Sequence, residues 1–169
     1  MKKIQIFFVL FVLCFCLSAC DPGHYKFNYD DLLENVIGVE LINYTNTEQK
    51  RFKSWVPNHF SKLVAFKLDN MAVIETLNNE DISYFLKQLS EVSFLYKYYV
   101  FNSPKDICMR LIYSNGDFEV ISCDYAKNSF CGYIGRYDSN GNVLDFIGSF
   151  TGLSAFTALV NNFFETQIP

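Results

Sequence analysis

Two short polar stretches, Ser114-Asn115-Gly116-Asp117 and Asp138-Ser139-Asn140-Gly141-Asn142, each separate two strand-like apolar runs. Nothing else in the chain constrains its fold as much. Asn-Gly is the strongest short hairpin signal, because both residues accept the positive φ that tight hairpin turns demand. The first hairpin spans residues 107–123 and the second spans 130–150. With Asn115-Gly116 as a two-residue turn, Ser114 faces Asp117. Ile107, Met109, Leu111 and Tyr113 then share a face with Phe118 and Val120. Two consecutive hairpins make an antiparallel meander, not a parallel sheet.

Earlier in the chain, Val36–Tyr44 reads as a strand with Ile37, Val39 and Leu41 on one face. Thr45–Pro57 is polar and reads as a loop. Leu63–Leu77 contains two strand pieces broken around Asp69-Asn70, and Phe94–Phe101 reads as another strand. Helical spacing occurs twice. Ile82, Phe85, Leu86 and Leu89 form an apolar stripe at i, i+3, i+4 and i+7, predicting a helix near 79–92. An Asn supplies the cap oxygen, and Glu80 and Asp81 complement the positive end of the helix. Leu153, Phe156, Leu159, Val160 and Phe163 form the second stripe, near 154–164, with Ser154 as its cap. The predicted class is α+β: an antiparallel meander with the two helices packed on it.

The front of the chain does not belong to that domain. Lys2 and Lys3 precede Ile4–Leu17, a run broken only by Gln5. Fourteen helical residues span about 21 Å, short of the ~30 Å hydrocarbon core. Such a length suits a signal-peptide core, with Ser18 and Ala19 as the small residues of a processing site. A cysteine follows at once. Leu17-Ser18-Ala19-Cys20 resembles the lipobox of bacterial lipoprotein precursors. The resemblance covers residues 1–20. It implies cleavage between Ala19 and Cys20, a diacylglycerol on the Cys20 thiol, and acylation of the new N-terminus. Cys14 and Cys16 fit less well, because Leu13 and Phe15 stand where a small residue is needed. Two acyl chains make a stable anchor. The implied partner is therefore the lipid bilayer, and the implied location the outer face of the cell membrane. In a Gram-negative envelope, Asp21 implies retention at the inner membrane, facing the periplasm.

This reading divides the chain into a signal peptide 1–19, a lipidated tether 20–28 and one globular domain 29–169. Losing residues 1–19 leaves 150 residues and takes the formal net charge from −4 to −6. A chain of that size needs no metal to fold. Its acidity disfavours nucleic acid as a partner. The local exception is Lys50-Arg51-Phe52-Lys53-Ser54-Trp55, read as part of a solvated loop, with headgroups or an acidic partner as the functional alternative.

Three further cysteines remain. The two-residue turn sets Cys108 opposite Cys123 at a Cα spacing of about 5.5 Å, which permits a disulfide. That bridge is worth about 3 kcal/mol. A three-residue turn sets Cys108 opposite Ser122 instead, and Cys123–Cys131 is a rival pairing. No CxxC spacing suggests a metal, and no phosphate, dinucleotide or metalloprotease motif suggests a cofactor. The expected function is a non-catalytic envelope interaction module whose partner is a protein, a peptide or an envelope polymer. The alternative is a small-ligand-binding lipoprotein whose pocket is lined by the Tyr-rich run Phe94–Phe101 and the aromatic hairpin faces. A hydrolase built on Cys131 or Ser149 stands third and requires His59 as its base.

Overall fold

In the computed structural model, the residues described are 23–56, 59–96, 107–124, 131–151 and 153–166, with backbone alone described at 45–56, 59–66, 122–124, 131 and 151. In chain order the elements are β1 (His24–Tyr25), α1 (Tyr29–Asn35), β2 (Val36–Val56), β3 (His59–Thr76), α2 (Asn79–Glu91), β4 (Phe94–Tyr96), β5 (Ile107–Tyr113), β6 (Phe118–Asp124), β7 (Cys131–Tyr137), β8 (Val143–Thr151) and α3 (Ser154–Phe163). The strands form one sheet in the order β1-β4-β8-β7-β6-β5-β2-β3, and every neighbouring pair is antiparallel. The α+β class, the meander and both predicted helices are present.

Local chemistry explains the helix ends. Asn28 caps α1, its Oδ1 accepting from the Asp30 and Asp31 amides at 2.9 and 3.3 Å. The predicted asparagine cap of α2 is not made that way: Asn78 makes no side-chain cap bond, and its carbonyl accepts from Asp81 N at 3.0 Å. Ser154 is the first helical residue of α3 and not its cap, which is Leu153. The folded body also begins earlier than the tether reading places it. His24–Tyr25 pairs with β4, and Phe27 is buried in the core, so residues 24–28 belong to the domain.

The hairpin turns set the registers. Tyr113 faces Asp117 across Ser114-Asn115-Gly116: Tyr113 N donates to Asp117 O at 2.9 Å, and Gly116 stands at φ +87°. The loop thus has three residues, ending in a left-handed glycine. Relative to a two-residue turn, β6 shifts by one, and a one-residue shift exchanges the two faces of a strand. Phe118 and Val120 therefore share a face with Cys108 and Arg110, while Glu119 and Ile121 stand with Leu111 and Met109. The expected match of Met109 and Leu111 with Phe118 and Val120 is overturned for that reason.

The first two long strands also differ from expectation. Thr45–Val56, read as a loop, continues β2 as a strand paired with β3. The predicted break at Asp69-Asn70 is a bulge inside one continuous β3, with Asn70 at φ 50°, a conformation asparagine tolerates better than most residues. A register shift between Val36 and Gly38 leaves Ile37 61% exposed, whereas Val39 and Leu41 are buried.

The three helices among the described residues cover one face of the sheet. Leu32 of α1, Phe85, Leu86 and Leu89 of α2, and Phe156, Leu159 and Val160 of α3 pack on Val39, Leu41, Met109, Leu111, Ile121, Ile134 and Phe150. Edge-on aromatic pairs, including Phe94–Phe150 at 5.7 Å and Phe85–Phe163 at 5.2 Å, fill this core. A second apolar cluster lies on the opposite face: Ile42, Leu68, Cys108, Phe118, Val120, Tyr133, Tyr137, Val143 and Phe146. It contains no helical residue. The sheet covers it by curling: Leu68 N on β3 donates to Gly141 O in the β7–β8 turn at 3.0 Å. Gly141 is at φ +76°, and a Cβ there would lie 2.1 Å from Leu68 O, so the contact requires glycine.

Candidate functional site

The curl brings together polar groups that lie far apart in sequence. Tyr133 and Tyr137 are four apart on β7, an even spacing that keeps them on one face, and Tyr137 Oη donates to Tyr133 Oη at 3.0 Å. Tyr44, on β2, places its hydroxyl 3.3 Å from Tyr133 Oη. Cys108, on β5, donates from Sγ to Tyr44 Oη at 3.5 Å. Phe118 stacks on Tyr137 at 5.5 Å, and Phe146 on Tyr133 at 5.8 Å. Burial pushes the Tyr44, Tyr133 and Tyr137 hydroxyls well above their ordinary range, with the Cys108 thiol adding to the rise at Tyr44. These phenols stay protonated at neutral pH. They link one another as donors and acceptors, which makes the cluster a lock on the curled sheet.

Its margin is ionic. Arg110 pairs with Glu40, donating from Nε to Oε2 at 2.9 Å and also from Nη2 to the same oxygen. The guanidinium lies 5.5 Å from the Phe118 ring centre, and its Nη1 is 3.7 Å from Met71 Sδ. Such a pair, desolvated by neighbouring side chains, is costly to break from one side.

The second polar site lies on the helical face. Glu119 is 6% exposed, across from Leu111 on one side and Arg136 on the other. Its Oε2 has no hydrogen-bond partner among the described residues. Burial pushes the carboxyl above its ordinary value; the Tyr113 hydrogen bond and the Arg136 charge pull it down, and Asp31 and Asp145 push it up. Arg136 sits 5.0 Å from the Tyr113 ring centre and 3.9 Å from Asp117 Oδ2. Arg136 and Asp145 face each other across β7 and β8, brought opposite by a register shift between Arg136 and Tyr137.

The positions singled out in the sequence fall as follows. Ala19 and Cys20 lie outside the described residues. Cys108 faces Ser122, not Cys123, because the first turn has three residues. Cys123 pairs with Gly132, and Cys131 with Asp124. Ser149 is buried on β8 opposite Tyr133. His59 opens β3 opposite Val56, and its side chain is outside the description. His24, placed in the tether from the sequence, is in β1, where Nδ1 and Ser93 Oγ share a hydrogen bond of 2.9 Å. Sequence reasoning missed the tyrosine cluster and Glu119. The even spacing of Tyr133 and Tyr137 was the available signal for the first; the second depended on the turn length.

No protein-family model matches the chain, and neither does any curated protein or solved structure. No helix among the described residues is long and apolar enough to cross a membrane.

Proposed function

We propose that the chain is a bacterial lipoprotein, exported and anchored to the outer face of the cell membrane through acylated Cys20, whose domain is a non-catalytic interaction module. The observation that carries this reading is Leu17-Ser18-Ala19-Cys20 standing directly ahead of the folded body. Gly23 O already accepts from Tyr96 N at 3.2 Å, so only Asp21 and Pro22 lie between the lipidated residue and the first tertiary hydrogen bond. A link that short holds the domain against the bilayer. The aromatics favour interaction over ligand enclosure, because Tyr133, Tyr137, Phe118 and Phe146 are spent on a packed face at 0–6% exposure.

The test is the intact mass of the protein extracted from membranes, before and after reduction and alkylation. The expected mass lacks residues 1–19 and carries a diacylglycerol and an amide-linked acyl chain. Unmodified protein in the soluble fraction would overturn the reading.

A further inference from the structure

Beyond Asn43, β2 leaves the main sheet. Its pairing with β5 covers Val36–Asn43, whereas its pairing with β3 continues to Val56↔His59. Residues 49–56 and 59–66 thus form a two-stranded ribbon with no third strand beside it among the described residues. Eight residues per strand reach about 26 Å. An isolated two-stranded ribbon is marginal in water, and this one is rich in apolar residues: Phe52, Trp55, Val56, Phe60, Leu63, Val64 and Phe66.

Its charge is also anomalous. Residues 49–66 hold Lys50, Arg51, Lys53 and Lys62 and no carboxylate, a formal +4. The rest of the chain after Ala19 sums to −10. The register sets Lys53 directly opposite Lys62. Like charges facing across a strand pair destabilise it, and an anionic surface beside it relieves that repulsion. Period two places Arg51, Lys53 and Lys62 on one face with Trp55 and Phe60, and Trp55↔Phe60 is the second pair from the ribbon's end. Cations set behind terminal aromatics are the pattern of groups that settle at a bilayer interface.

We infer that this ribbon docks on an anionic lipid bilayer, as a second, electrostatic contact beside the acyl anchor. The acidic body is repelled by the same surface, so the two together orient the domain with its ribbon down. The inference uses the proposed anchor for its geometry. Its chemistry is testable separately.

Trp55 is the chain's single tryptophan and reports on the ribbon directly. The full processed protein is reconstituted into neutral phosphatidylcholine vesicles and into vesicles containing phosphatidylglycerol. In the anionic vesicles Trp55 emission is expected to shift to the blue, to be quenched by brominated acyl chains, and to be shielded from acrylamide. High salt reverses all three. Each cation removed from the ribbon's cationic face weakens docking about fivefold, so R51Q/K53Q/K62Q loses it about a hundredfold. The salt reversal in the unmodified chain tests the same point without relying on the folding of that variant. Equal acrylamide access in both vesicle types overturns the inference. So does a Trp55 shift with soluble polyglutamate but not with anionic vesicles, which assigns the ribbon to an acidic polypeptide. Flotation with neutral vesicles separates the anchor from the ribbon. A protein that fails to float there lacks the acyl anchor, and its salt-sensitive capture by anionic vesicles still decides the ribbon's role.

Discussion

Replacing Glu119 with glutamine isolates the effect of one buried charge. The side chain keeps its shape, and the amide oxygen can still accept from the Tyr113 hydroxyl. What it loses is the negative charge on a carboxylate whose Oε2 has no hydrogen-bond partner among the described residues. The glutamine NH2 takes that unpartnered place; an unsatisfied buried group costs about 1–3 kcal/mol when neutral and more when charged, so the substitution lowers the penalty without removing it. Against this, the bond from Tyr113 changes from charge-assisted to neutral, a loss of about 1 kcal/mol. The net expectation at neutral pH is a gain of about 1 kcal/mol, a rise of roughly 3 °C in Tm for a domain of this size.

The pH dependence carries the sharper test. Burial raises the folded-state pKa of Glu119 above its ordinary 4.5. The folded chain therefore binds this proton more tightly than the unfolded chain does. The stability contributed by the protonated form is fully present below the unfolded value and is lost as pH rises through the folded one. Glu119→Gln removes that loss. Thermal melts of the two proteins in detergent should nearly coincide in mild acid and separate towards neutral pH, with the variant higher. Parallel curves, or a variant that is less stable at neutral pH, would refute the reasoning. Either result would mean that Arg136 and Tyr113 stabilise the carboxylate at least as much as burial penalises it.

Three further outcomes follow from named contacts. Gly141→Ala combines a left-handed residue, about 1–2 kcal/mol, with loss of the Leu68–Gly141 hydrogen bond, about 1 kcal/mol more; denaturant unfolding should show a loss of about 2–3 kcal/mol, and a neutral result would mean the curl does not depend on this contact. Tyr133→Phe strips a partner from both Tyr44 and Tyr137, so it should cost about 2 kcal/mol, while Tyr137→Phe, at the end of the chain of hydroxyls, should cost about 1 kcal/mol or less; equal losses would deny that the hydroxyls form a linked set. Asn28→Ala removes the cap of α1 and should cost about 1 kcal/mol, with amide exchange at Asp30 and Asp31 accelerating first.

What was legible in the sequence was whatever a single element's periodicity reveals. The stripes Ile82–Leu89 and Leu153–Phe163 predict helices because each buries one face against the sheet. Asn115-Gly116 and Asn140-Gly141 predict hairpins because both turns place glycine at positive φ. α1 escaped because seven residues with only Leu32 buried make no stripe. The distal part of β2 escaped because Thr45–Pro57 is polar and lacks the alternation that marks a half-buried strand. The ends of β2 and β3 are therefore defined by their register with each other, which a composition-based reading does not see.

The internal polar sites depended on one residue of register. Asn-Gly fits a two-residue turn and, with Ser114 added, a three-residue one, so the dipeptide predicts the hairpin without fixing which face of β6 looks inward. In the observed register Phe118 stacks on Tyr137 in the second cluster and Ile121 joins the helical core. The partner arriving on the helical side with Ile121 is Glu119. Moving Glu119 off the helical face would require the other register, which withdraws Phe118 from Tyr137 and turns Ile121 out of the helical core. Ser114 N also donates to Asn35 O at 2.8 Å, fastening the turn to the end of α1. Retaining a buried carboxyl is thus the cost of filling both faces of the sheet at once, and Tyr113 and Arg136 are the groups that make it tolerable.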